Sequence, residues 1–221
     1  MRKVLIAPSI LSADFKNLNK EIETIIDAKA DYMHFDVMDG HFVPNISFGL
    51  PVLKSLNDYD IIYDVHIMIT DPLTYGPQFV KAGADIVTFH YEALSSDEER
   101  REVIRAIKNE GGKVGMSIKP NTPVDVVIPF LEELHLVLIM SVEPGFGGQT
   151  FISSALPKIK TLRKYIDEHK LNTLIEVDGG INFETGKLVV DAGADILVAG
   201  SFLFHSENIK ERIEGLRNVS K

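Results

Sequence analysis

Ala28-Lys29-Ala30-Asp31 precedes Tyr32-Met33-His34-Phe35, Ala82-Gly83-Ala84-Asp85 precedes Ile86-Val87-Thr88-Phe89, and Ala192-Gly193-Ala194-Asp195 precedes Ile196-Leu197-Val198. In each stretch small residues close a helical pattern and an apolar, strand-like run begins. The first two copies lie 54 residues apart and the second and third 110 apart, both close to multiples of 55. An eighth of the 221 residues is about 28, half of that spacing. The simplest reading is eight βα units, with the motif in units two, four and eight.

The remaining strands follow from short apolar runs bounded by turn residues. The candidates are 4–10, 32–38, 61–68, 86–90, 113–118, 136–142, 173–178 and 196–200. Between them lie helical patterns, clearest at 18–28, 97–109 and 159–169, with charges opposite the apolar stripe. Gly111-Gly112 and Gly193 read as helix stops. No Pro/Ser/Gly-rich linker interrupts residues 1–221, so the expectation is one domain, an α/β fold of the (β/α)8 TIM-barrel type. An open flavodoxin-like sheet is the alternative, and eight strands favour closure.

Composition narrows the function. Hydrophobic residues make up 45% and charged residues 25%, which suits a soluble globular protein with a large core. There is no cysteine, which excludes disulfides and thiolate catalysis and fits a reducing, cytoplasmic compartment. A net charge of -9 lacks the basic footprint of a nucleic-acid binder. It leaves room for a small anionic substrate, because local amides and a metal outweigh a distant field. The apolar stretches are too short to span a bilayer. Met1-Arg2-Lys3 followed by Val4 to Ile6 faintly resembles a signal peptide, but Pro8, Ser9 and Asp14 break the run, and it reads as the first strand.

Strand side chains alternate faces, so His34, Asp36 and Met38 point one way, as do His66 and Met68. Ser9, Met140, Asp178 and Ser201 also fall at strand ends or just beyond, where such barrels carry their active sites. A single histidine on a strand is ordinarily a hydrogen-bonded core residue. Four groups at three strand ends (His34, Asp36, His66 and Asp178) would bury unpaired carboxylates at high cost, which favours a metal centre. Zinc, iron, manganese and cobalt all suit such ligands, one divalent ion per subunit. Asp36 and Asp178 would then serve as acid and base, removing a carbon-bound proton on one face and supplying one on the other. Met38, Met68 and Met140 are either core filling or a polarisable wall beside a delocalised anion. His90 ends a strand and lines the site; His41, His135, His169 and His205 read as solvated, and none of the five has partners of the metal-centre kind.

Three glycine clusters follow the last three strands: Gly145-Phe146-Gly147-Gly148, Gly179-Gly180 and Gly200-Ser201, the last opening a short helix through Phe202-Leu203-Phe204. Glycine lets backbone amides approach an anion, and a phosphate site in these loops is common for the class. There is no Walker-type lysine and no dinucleotide fingerprint.

Five long motifs now carry a resemblance: Ala7-Pro8-Ser9-Ile10-Leu11-Ser12-Ala13-Asp14-Phe15, His34 through Asn45, Asp64-Val65-His66, Met140 through Gln149, and Glu176-Val177-Asp178-Gly179-Gly180. They closely resemble the ribulose-phosphate 3-epimerase family, a ribulose-phosphate-binding barrel. The resemblance implies reversible conversion of D-ribulose 5-phosphate to D-xylulose 5-phosphate through an enediolate, in the pentose phosphate pathway. It implies that His34, Asp36, His66 and Asp178 bind the metal and that Asp36 and Asp178 are the acid–base pair. Ser9 and His66 would contact the sugar, and Gly145, Phe146, Gly147, Gly148, Gly179, Gly180, Gly200 and Ser201 the phosphate end. A homo-oligomer, dimeric or hexameric, is implied as well. Ile67 stands where leucine is more common, and Tyr91 where proline often follows His90, in the loop after strand four. D-allulose-6-phosphate 3-epimerase shares the motifs. A lysine-based decarboxylase or aldolase would carry Asp-x-Lys where Asp64-Val65-His66 stands, and a non-catalytic sugar-phosphate binder would not need both aspartates.

Overall fold

In a computed structural model, which describes residues 3–220, one sheet carries eight parallel strands in the order β1-β8-β7-β6-β5-β4-β3-β2. They are β1 (Leu5–Pro8), β2 (Tyr32–Met38), β3 (Ile62–Met68), β4 (Ile86–His90), β5 (Lys113–Ile118), β6 (Leu136–Met140), β7 (Leu174–Asp178) and β8 (Ile196–Ala199). A parallel bridge between Ser9 and His34 joins the two ends into a barrel. Met1 and Arg2, read in the sequence as leading into the first strand, lie outside the described residues. Among the described residues no helix is long and apolar enough to cross a membrane.

The crossover helices are α1 (Leu18–Asp27), α2 (Leu50–Leu56), α3 (Pro72–Lys81), α4 (Asp97–Asn109), α5 (Ala155–His169) and α6 (Phe183–Ala192), and α7 (Ser201–Phe204) and α8 (Ile209–Arg217) follow the last strand. Helix α4 begins at a capping box, in which the Ser96 hydroxyl accepts from the Glu99 amide and Glu99 reaches back. Its apolar stripe, Val103, Ile104 and Ile107, is fully buried against the barrel. The outer strand faces, such as Phe35, Val65, Phe89 and Val137, join these helices in the larger core. Each such buried side chain contributes roughly 1.5–3 kcal/mol. A smaller apolar layer, including Ala7, Ile86, Leu138 and Val198, fills the barrel interior. One crossover departs from the helical expectation: β5 and β6 are joined by a 3-10 segment, Val124–Glu133, because Pro123 precedes it and Pro129 interrupts it.

The repeated Ala-x-Ala-Asp acquires a physical meaning. Asp31 accepts from the Ile6 amide (3.0 Å), Asp85 from the Tyr63 amide (2.8 Å) and Asp195 from the Ile175 amide (2.8 Å). Each aspartate thus clasps the start of the neighbouring strand and fixes its register. The residue x turns the chain from helix to strand at positive φ: Lys29 at 62°, Gly83 at 115° and Gly193 at 121°. Lysine is strained there by roughly 1–2 kcal/mol, whereas glycine is free but loses more chain entropy on folding, roughly 0.5–1 kcal/mol. Lys29→Gly is therefore expected to stabilise the protein by about 0.5 kcal/mol, read as a higher urea midpoint with unchanged slope. Gly83→Ala is expected to destabilise it, since the added methyl would stand 2.9 Å from Asn57 Cβ.

Candidate active site

Register brings the polar strand residues into layers at the C-terminal end of the barrel. Asp36 pairs with His66 and Met38 with Met68 across β2 and β3; Met140 pairs with Asp178 across β6 and β7. Asp36 Oδ1 lies 3.0 Å from His66 Nδ1 and 3.3 Å from His34 Nε2. One ligand atom from each of His34, Asp36, His66 and Asp178 falls within 4.8 Å of all the others. Bonds of about 2.0–2.2 Å to a single zinc-sized ion place its ligands roughly 3–3.5 Å apart, which the spacing around Asp36 matches. His34 Nε2 is fully buried and has no hydrogen-bond partner, an orphan that such an ion would satisfy. The donor set therefore fits a divalent metal.

The electrostatics are those of a tightly packed charge cluster. Burial opposes ionisation of Asp36, but the charge of His34 beside it holds its carboxyl far below the usual range. The Ser9 hydroxyl donates to its other oxygen at 2.6 Å. Burial disfavours the His34 cation too, yet Asp36 and Asp64 push its pKa well above the ordinary value. Burial pulls His66 down. Asp178 is pushed up to about 7, by burial first and by the charge of Asp36 second.

Four groups outside the predicted ligand set stand behind it. His34 Nδ1 lies 2.6 Å from Asp64 Oδ2, with Glu176 3.8 Å away. Burial, reinforced by the Asp64 charge, pushes Glu176 well above the usual carboxyl range. His66 Nε2 lies 2.9 Å from His90 Nε2, and His90 Nδ1 lies 3.2 Å from Glu92. His90, expected to line the site without such partners, is instead wholly buried behind His66. Asp64 shares the face of His66 by strand alternation, a signal already present in the sequence. Of the histidines read as solvated, His41, His169 and His205 are exposed, while His135 is half-buried. His205 also borders the cavity described next. The loop after β4 is a 3-10 turn, Tyr91–Ala93, with buried Arg100 stacked 3.6 Å from the Tyr91 ring centre.

Above the cluster opens a cavity of about 530 Å³. Asp36 and Asp178 reach its floor, and Ser9, Met38, Met68 and Met140 line it. Gly145, Phe146, Gly147, Gly148, Gly179, Gly180, Gly200 and Ser201 border the same cavity. The Ser141 hydroxyl donates to the carbonyls of Asp178 (2.9 Å) and Gly179 (2.7 Å), fixing the turn after β7. Asn45 donates to the Gly145 carbonyl at 2.8 Å and so ties the loop after β2 to the loop after β6.

Comparison with known proteins places the chain in a family. Residues 5–204 match the model of the ribulose-phosphate 3-epimerase family. A ribulose-phosphate 3-epimerase from Bacillus subtilis (strain 168) is 48% identical over 216 residues, covering 97% of this chain and 98% of the relative. One from Schizosaccharomyces pombe is 43% identical over 223 residues, covering 99% and 94%. Among solved structures, 3-hexulose-6-phosphate synthase from Salmonella typhimurium aligns with a TM-score of 0.67 at 18% identity, covering 99% of this chain and 98% of that one. KGPDC from Streptococcus mutans aligns with a TM-score of 0.71 at 16% identity, covering 98% and 96%. At those identities the structural likeness bears on the barrel fold alone. The family match and the two close relatives carry more: the chain belongs to the ribulose-phosphate 3-epimerase family and is an isomerase of the epimerase class.

Proposed function

We propose that the protein inverts C3 of D-ribulose 5-phosphate to give D-xylulose 5-phosphate, reversibly, with His34, Asp36, His66 and Asp178 holding one divalent metal. The observation that carries this reading is the meeting of two carboxylates, from β2 and β7, on the floor of a cavity rimmed by glycine loops. Inversion needs a proton to leave one face of a carbon and another to arrive on the opposite face. Two carboxylates on different strands serve that purpose, Asp36 and Asp178 exchanging the roles of base and acid with the direction of reaction. Their surroundings push their proton affinities apart, Asp36 down and Asp178 up, as an acid–base pair requires. A bound metal supplies electrostatic stabilisation of the negative charge left on the substrate oxygens, without which a carboxylate is too weak a base. Ser9 orients Asp36 through its hydrogen bond. The three methionines give the resulting planar anion, an enediolate, a polarisable wall that offers no competing proton. Amides of the glycine loops face the phosphate end. A homo-oligomeric assembly, dimeric or hexameric, and a cytoplasmic place in the pentose phosphate pathway belong to the same proposal and rest on the family resemblance.

Proton NMR of D-ribulose 5-phosphate in heavy water tests the reading. The expected result is deuterium entering C3 as D-xylulose 5-phosphate appears, and only with divalent metal present. Absence of exchange in metal-replete protein would refute the pentose assignment, and D-allulose 6-phosphate would be the next substrate.

Metal affinity is expected to fall with acid. Ligands must be deprotonated to bind, and both His34 and Asp178 hold protons more firmly than their ordinary values imply. Titrations with zinc should therefore weaken as pH drops, the His34 proton already competing above the ordinary histidine range and the Asp178 proton adding its loss below about 7, by about tenfold per pH unit for each proton displaced.

A further inference from the structure

We infer that His90 and Glu92 form a positioning relay that fixes the ring of His66 and commits its Nδ1 atom to the metal. The inference rests on the metal centre proposed above and adds residues outside it.

The direction of every hydrogen bond in the chain is set from its outer end. Lys158 on α5 donates to the carbonyls of Lys119 (3.1 Å), Pro120 (2.6 Å) and Thr122 (2.6 Å), which pins the loop after β5. From that loop the Lys119 amide, at 2.7 Å, and the Thr122 hydroxyl both donate to Glu92 Oε1. Glu92 is thereby held as a carboxylate, which can only accept. His90 Nδ1, 3.2 Å from Glu92 Oε2, must then be a donor. A neutral imidazole carries one N–H, so His90 Nε2 is an acceptor, and the proton in the 2.9 Å contact belongs to His66 Nε2. That leaves His66 Nδ1 with a lone pair, 3.0 Å from Asp36 Oδ1. Two electron-rich atoms held at that distance are the spacing of two ligands on one cation. Full burial of the His90 ring, which disfavours a second proton on it, agrees with this direction. The Phe42 ring, 4.8 Å from that of His90, closes the imidazole in.

Outer partners of a ligating histidine commonly account for 10–100-fold in metal affinity. The test is zinc titration of the metal-stripped full chain, with the nitrogen spectrum of 15N-histidine-labelled, zinc-loaded protein. In the wild type, His66 is expected to bind zinc through Nδ1 and to carry its proton on Nε2. His90→Leu should weaken zinc binding by about 10–100-fold. His90→Gln, whose amide oxygen can accept the same proton, should recover part of the loss, which a merely structural role would not do. Glu92→Gln, at a partly exposed position in the turn after β4, should shift affinity in the same direction by less and keeps the test open if His90→Leu does not fold. Zinc on Nε2 of His66 in the wild type, or unchanged affinity in the folded variants, overturns the relay while leaving the metal centre standing. A wild type that binds no zinc overturns both.

Discussion

Asp36→Asn and Asp178→Asn, each assayed at saturating metal, are expected to lower turnover by about 10²–10⁴-fold or more and to fail in complementary ways. Asparagine keeps the size of aspartate and can still offer an oxygen to a cation, but it cannot take a proton. In a two-base inversion each carboxylate serves one face of C3. Removing one leaves the other able to abstract from the epimer whose proton it faces, and to return a solvent proton to the same side. In heavy water, one variant should wash deuterium into D-ribulose 5-phosphate without inversion, and the other should do so only with D-xylulose 5-phosphate. Loss of exchange from both epimers in both variants would reduce the aspartates to metal ligands and end the acid–base assignment. Retained turnover in either variant would remove that residue from the reaction. Zinc titration of each variant separates these outcomes from simple loss of the ion.

Why so much of this site could be read before the fold was known lies in how local its signals are. The Ala-x-Ala-Asp repeat marks strand starts because each aspartate binds an adjacent strand's amide, so the same short sequence solves the same local problem three times. Alternation along β2, β3 and β7 suffices to put His34, Asp36, His66 and Asp178 on inward faces, and barrel closure does the rest. The relay behind His66 was not legible, because it depends on pairings between separate loops. Glu92 meets Thr122 and the Lys119 amide only once β4 and β5 are in register and Lys158 has pinned the loop from α5. The 3-10 crossover at 124–133 likewise escaped a reading by helical period, since two prolines rather than an apolar stripe decide its form.

Gly180→Ala should raise KM for the sugar phosphate by about 10–100-fold, the equivalent of one charge-assisted hydrogen bond of about 1.5–3 kcal/mol. The reason is geometric. Gly180 has φ of 64°, and an added methyl would stand 2.6 Å from the Phe151 nitrogen and 2.9 Å from its Cα. Both are backbone atoms, so no side-chain rotation relieves the clash. Thr185 donates to the Gly180 carbonyl at 2.8 Å and resists retreat in the other direction. The loop after β7 must therefore shift, taking its amides out of position for an anion. Three of the four proposed metal ligands stand on β2 and β3, away from this loop, so zinc affinity should change little. The decisive comparison uses D-ribulose without its phosphate. If Gly180 belongs to the phosphate end, wild type and variant should handle that sugar almost equally, the penalty appearing only when there is a phosphate to lose. An equal penalty with both sugars would instead place the damage at Asp178, two residues upstream, and would move the phosphate to the other glycine loops.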